Sequence, residues 1–188
     1  MILNGDEIID YHNKGLIKID PWNEKAVGTN SYDVRLGDTL TIYDEECLNP
    51  RKENRSHQEK INEYGWVMKA GDFVLGHTLE YNENLADDLV PMIEGRSSIA
   101  RLGLTIHVSA GFGDVKFCGH WTLEIQAAVN IKIYAGMPIG QLFWVRTNKT
   151  NRCYKGKYLG QRGAVPSKLF LETTPIISEV KPNDLPTL

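Results

Sequence analysis

Apolar and polar positions alternate with a period of two along much of this chain. From Tyr32 to Tyr43, Tyr32, Val34 and Leu36 fall on one side, followed by Leu40 and Ile42. That alternation predicts half-buried strand, with Gly37-Asp38 as the turn. Short apolar runs broken by glycine recur over residues 66–85, 87–95 and 120–147, the last with expected breaks at Ala135-Gly136 and Gly140. A helical spacing fits only two places. Residues 3–15 combine Asn4 or Asp6 as the cap, apolar Ile8, Ile9 and Tyr11, and Gly15 as the stop. A single turn is predicted at Ser97–Arg101, with a serine as its cap and Gly103 ending it. Residues 49–65 are polar and charged and predict an exposed loop. Residues 172–188 carry Pro175, Pro182 and Pro186 and little periodicity, so they read as a tail or an arm. The remainder, residues 1–171, forms one domain. Many short strands with glycine turns imply a mainly β sandwich or barrel with few short helices.

Composition narrows the function classes. The chain has 188 residues, of which 41% are hydrophobic and 24% charged, as in one soluble domain with a real core. A net charge of −3 without a basic block argues against a general nucleic-acid binder. The three cysteines, Cys47, Cys118 and Cys153, form no CxxC pair and no disulfide framework, which fits a reducing cytoplasm. The opening MILNGDEII places acids where a secretory leader carries cations. No apolar run approaches the roughly 20 residues that cross a bilayer, so no membrane role is expected.

Two dense stretches carry the chemistry. Gly95–Arg101 joins Arg96, Ser97, Ser98 and Arg101 around a helix start, where backbone N–H groups and guanidinium would hold phosphate oxygens. An ordinary capped turn with a surface arginine fits the same residues equally well. Glu124 lies in the strand TLEIQAAV, where a half-buried carboxylate is costly unless it is paired or protonated. Arg101 is the obvious partner by charge. Such a pair is often structural, but perturbed carboxylates also gather where protons are moved. Asp114 follows Ala110-Gly111-Phe112-Gly113, whose glycines permit close approach to a ligand; a plain turn aspartate is the simpler reading. Residues 154–163 mix aromatics, cations and glycines, and suit either a solvated loop or a flap over a polyphosphate. The five histidines show no ligand spacing, and the His-x-Glu and Pro-Cys-x-x-Cys segments of zinc nucleobase deaminases are missing.

The segments MILNGDEII, NSYDVRLGD, EGRSSIARLGL, HVSAGFGD, TLE, GMPIGQL and GKYLGQRGAVPS occur in order over residues 1–170. In that order they resemble the dCTP deaminase group of the trimeric dUTPase superfamily. The resemblance implies a distorted dUTPase-like β-barrel, assembled as a homotrimer with sites between subunits, and a lid at about residues 152–166. It implies zinc-independent deamination of a deoxycytidine nucleotide in pyrimidine deoxynucleotide supply. Glu124 would shuttle protons, Ser97 and the Ala110 carbonyl would position water, and Arg101 would pair with Glu124. Arg96 and Ser98 would contact phosphates across a subunit boundary. Asp114 would take the sugar 3′-hydroxyl, Phe117 would lie on the sugar, and backbone near Thr122 would read the base. Lys157 and Gln161, with Tyr154 as a helper, would close on the phosphates. Mg²⁺ would arrive on the phosphates, and dTTP is the implied feedback inhibitor.

Three departures stand out. The family often carries Asp-Pro-Gly-Phe where this chain has Asp114-Val115-Lys116-Phe117, which predicts a changed turn and altered sugar placement. Tyr154 lies nearer Lys157 than in many members, and Ala164 stands where proline is frequent. Ala110-Gly111-Phe112 leans toward members that carry dCTP through to dUMP and diphosphate. A dUTPase alone and a non-catalytic nucleotide sensor remain as alternatives.

Overall fold

Asn4 starts the first helix in the way its side chain allows. The computed structural model, which describes residues 1–107 and 110–173, contains a reciprocal capping box there. Asn4 accepts from the Glu7 N–H and the Glu7 carboxylate accepts from the Asn4 N–H, each at 2.9 Å. Helix α1 spans Gly5–Asn13, buries Ile8, and gives way at Gly15, whose φ of 70° suits a residue without Cβ.

The strands are short, and among the described residues each pair of named strands is antiparallel. In chain order they are β1 (Ile17–Asp20), β2 (Tyr32–Arg35), β3 (Thr39–Tyr43), β4 (Ser56–Lys60), β5 (Trp66–Met68), β6 (Phe73–His77), β7 (Tyr81–Asn84) and β8 (Leu89–Gly95). The one-turn helix α2 (Ser97–Ala100) follows, then β9 (Leu104–Thr105), β10 (Cys118–Gly119), β11 (Thr122–Ala127), β12 (Ile131–Ile133), β13 (Pro138–Arg146) and α3 (Phe170–Thr173). They form four small sheets, ordered β1-β7-β10, β4-β3-β6-β11-β9, β12-β5 and β2-β13-β8. Inward residues of these sheets, among them Tyr32, Leu36, Leu40, Met68, Ile93, Leu142 and Trp144, make one core. The expected mainly β architecture is what the chain adopts.

Three local expectations are corrected, and one is refined. The expected turn at Gly37-Asp38 separates strands of different sheets: β2 pairs with β13, whereas β3 pairs with β4 and β6. Gly37 turns the chain from one sheet to the other, and its bare Cα lies where a Cβ would strike the His77 ring. The polar stretch 49–65 is not all loop, because Ser56–Lys60 adds β4 as an edge strand with four of its five residues exposed. Charged side chains on such an edge discourage pairing with other chains. Gly140 does not end a strand; it sits inside β13 at a shift of register. Arg96, not a serine, is the N-cap of α2, and it makes no side-chain cap bond. The tail expected at 172–188 begins inside α3, and residues 174–188 lie outside the described residues.

Candidate active site

Strand β11 has two unlike faces. Leu123, Ile125 and Ala127 point into the core, and Thr122, Glu124 and Gln126 point out. On that outer face Thr122 and Glu124 line a cavity of roughly 520 Å³. The volume falls within the ~300–1,000 Å³ typical of small-molecule sites. β6 contributes Phe73 and Leu75, and β3 contributes Tyr43. Asp114, Phe117, Tyr154 and Gln161 complete a wall of mixed apolar and polar character.

The loop over residues 110–117 is held by close backbone contact. The Ile93 N–H donates to the Gly111 carbonyl at 2.9 Å, and the Gly113 N–H donates to the Pro91 carbonyl at 3.0 Å. A Cβ on Gly111 would lie 2.5 Å from the Ile93 oxygen, and one on Gly113 would lie 2.6 Å from the Pro91 oxygen. Only glycine fits at either place. The pinned loop carries Ala110, Phe112 and Asp114 to the cavity, with Phe112 67% exposed. The next turn is built without the glycine that the family often carries. Lys116 takes φ 64°, and the Phe117 N–H donates to the Asp114 carbonyl at 3.0 Å. A lysine thus adopts the left-handed conformation that glycine would supply more cheaply.

Glu124 is the electrostatic centre of the cavity. Burial pushes its carboxyl above the ordinary glutamate value, and a contact with its own backbone N–H only partly opposes this. Among the described residues it makes no ion pair and no bond to another side chain. The expected Arg101–Glu124 pair is therefore not made inside one chain. The reason lies in α2, a single turn whose buried residue is Ile99. Packing Ile99 inward turns Ser97, Ser98 and Arg101 out to solvent. Arg96 meets Asp33 at 3.3 Å.

Of the residues named from sequence, the structure gathers Ala110, Asp114, Phe117, Thr122, Glu124, Tyr154 and Gln161 around one cavity. It leaves Arg96, Ser97, Ser98, Arg101 and Lys157 outside that wall. The Lys157 ammonium is engaged with the Glu172 carboxylate. Tyr154 packs edge-on against Phe117 with ring centroids 5.7 Å apart, and its hydroxyl accepts from the Tyr158 N–H at 3.3 Å. Sequence reasoning missed Tyr43, Leu48, Phe73, Leu75, Trp121, Tyr158, Val165 and Ser167 as lining residues. Strand alternation offered a signal for Phe73 and Leu75; Tyr158, Val165 and Ser167 depend on how the C-terminal segment crosses the sheet. Among the described residues, no group of three or more His, Cys, Asp or Glu converges to hold a metal ion. Among them too, no helix is long and apolar enough to cross a membrane.

Residues 2–147 match the family described as dCTP deaminase-like. A protein of Clostridium acetobutylicum named dCTP deaminase, dUMP-forming, is 46% identical over 171 residues, covering 90% of this chain and 97% of that protein. The chain belongs to the dCTP deaminase-like family. A Leptospira biflexa protein of the same name is 44% identical, again over 90% of this chain and 97% of its own length. Among solved structures, the 2′-deoxycytidine 5′-triphosphate deaminase of Agrobacterium tumefaciens superposes with a TM-score of 0.61 at 20% identity. The match covers 78% of this chain and about half, 48%, of that one, and it bears on the fold alone. Family membership thus rests on sequence over nearly the whole length of the curated relatives.

Proposed function

We propose that this protein deaminates dCTP and carries the product on to dUMP and diphosphate. The observation that carries the reading is Glu124: a half-buried acid with a raised pKa, on the wall of a nucleotide-sized cavity, in a chain whose relatives bear that name. As the carboxylate, Glu124 takes a proton from water as the oxygen attacks C4 of cytosine. It then returns a proton to the departing ammonia. Net consumption is one water per deamination and a second per hydrolysis to dUMP and diphosphate.

The chain assembles as a homotrimer in this reading, and a neighbour's α2 turn completes each cavity. The outward Ser97, Ser98 and Arg101, with no ion pair on Arg101 among the described residues, support that arrangement. The neighbour's Arg101 guanidinium would balance the Glu124 charge, and Ser97 with the Ala110 carbonyl would hold the attacking water. Arg96 and Ser98 would meet phosphates. Asp114 would accept the 3′-hydroxyl, and Phe117 would lie against the sugar. Strand β9 meets β11 only at Gln126 and Ala127. The edge of β11 away from β6 is thus not covered by β9 around Thr122, where the backbone would read a base edge. Gln161 would close on the phosphates, joined by Lys157 after release from Glu172, with Tyr154 supporting the wall. Mg²⁺ would come with the triphosphate, and dTTP would compete for the same cavity as a feedback ligand. Residues 152–166 act as the lid of the 1–171 domain.

Incubation with dCTP and Mg²⁺, followed by separation of products, tests the reading. Ammonia, dUMP and diphosphate are expected. Accumulation of dUTP would restrict the enzyme to the first step, and absence of turnover would overturn the proposal in favour of a sensor.

A further inference from the structure

Just before β11, one histidine touches the C-terminal segment three times. The His120 N–H donates to the Gln161 carbonyl at 3.0 Å. The His120 carbonyl accepts from the Gln161 side-chain amide at 2.7 Å. Its ring Nδ1 lies 2.9 Å from the Gly163 nitrogen. Beyond this point the segment crosses the outer sheet. The Ala164 carbonyl accepts from the Thr41 hydroxyl at 2.9 Å, and the Val165 N–H donates to Thr122 Oγ1 at 3.2 Å. Gln161 and Val165 then stand on the same cavity wall as Glu124.

We propose that His120 is a positioning residue: its neutral ring, accepting the Gly163 N–H, latches the C-terminal segment across the cavity and so sets nucleotide affinity. This rests on the reading of the cavity as the dCTP site. An amide can only donate, so Nδ1 must be unprotonated and any ring proton lies on Nε2. The ring is held by stacking on His77 of β6, 5.2 Å between centroids and 11° from parallel, and by the edge of Tyr81 of β7 at 5.4 Å. From the segment itself, Arg162 sits 3.8 Å over the Tyr81 ring. Burial, with His77 and Arg162 adding like charge, pushes His120 down to about 4, so the acceptor form prevails at neutral pH. With the segment open, the ring would titrate nearer ~6.5. The closed form therefore has its full advantage above that value and loses it as pH falls toward about 4. An ordinary core histidine would hold its surroundings but would leave substrate affinity untouched.

Three proteins decide the matter: wild type, H120A and H120N, whose side-chain carbonyl restores an acceptor. Amide hydrogen exchange over residues 159–167 is read without nucleotide, and dCTP turnover is read separately. H120A should exchange faster there and raise KM for dCTP about five- to tenfold, the loss of one buried hydrogen bond, with kcat within about twofold. H120N should restore both. Lowering the pH from about 7 to about 5 should reduce the protection of the segment, measured relative to the intrinsic amide exchange rate at each pH, in wild type and not in H120N. Unchanged exchange in H120A removes the latch. Faster exchange with an unchanged KM removes its link to affinity. Should H120A fail to fold, the pH comparison of wild type with H120N decides alone. Should dCTP not be turned over, the functional reading fails while exchange still judges the latch.

Discussion

Two acids in neighbouring parts of the barrel have opposite fates. Glu80 is 2% exposed, yet it is fully answered by one residue: the Arg35 N–H donates to it at 2.8 Å and the Arg35 guanidinium at 2.6 Å. Glu124 is less buried but has neither a cation nor a hydroxyl from its own chain among the described residues, and its pKa rises. Glu80 links β2 to the start of β7 and has nothing left to offer a ligand. Glu124 keeps its proton affinity and its lone pairs on the cavity wall. A strand carboxylate is informative when its surroundings raise its pKa and leave it unpaired.

Mutation can break that contrast. In the proposed site, E124Q should lower the deamination rate about 10³-fold, the scale of general acid–base catalysis, while nucleotide binding persists; ammonia release reads this directly. The same change should raise thermal stability at neutral pH. A carboxyl whose folded pKa is raised costs the fold nothing below its unfolded pKa and costs most above the folded value, so removing its charge relieves the native state. E80A should do the reverse. It should cost about 2 kcal/mol in a urea melt by removing the buried carboxylate that accepts from both the Arg35 N–H and its guanidinium, yet leave kcat in the folded fraction unchanged. The smallest effect belongs to the turn beside the cavity. K116G should stabilise by ~1 kcal/mol, because the left-handed φ of 64° penalises a residue with a Cβ. A loss of stability there would mean that the lysine side chain contributes more than its backbone costs.

Much of the frame was legible in the residues. A cap at Asn4 or Asp6, the apolar Ile8, Ile9 and Tyr11 and the stop at Gly15 specified the first helix, the period-two run located β2 and β3, and short apolar runs located β8 and β11. Burial of alternate residues also singled out Glu124 before its neighbours were known. The left-handed backbone at Lys116 was not legible, because a residue's usual preference does not say what its flanking contacts will impose. The serine cap of α2 was misjudged: a serine bordering an apolar turn is a good cap only if the chain enters the helix one residue later.

By itself, the order of apolar and polar residues determined strands such as β2, β3, β8 and β11, the first helix, and the acid set into an outward face, since each depends on spacing within a few residues. Only the tertiary structure decided that β2 and β3 part into different sheets, that His120 meets Gly163, and that Arg101 turns away from Glu124 within its own chain. Those outcomes depend on residues far apart in sequence competing for one packed interior, where closing a long loop is repaid only by the whole set of contacts it completes.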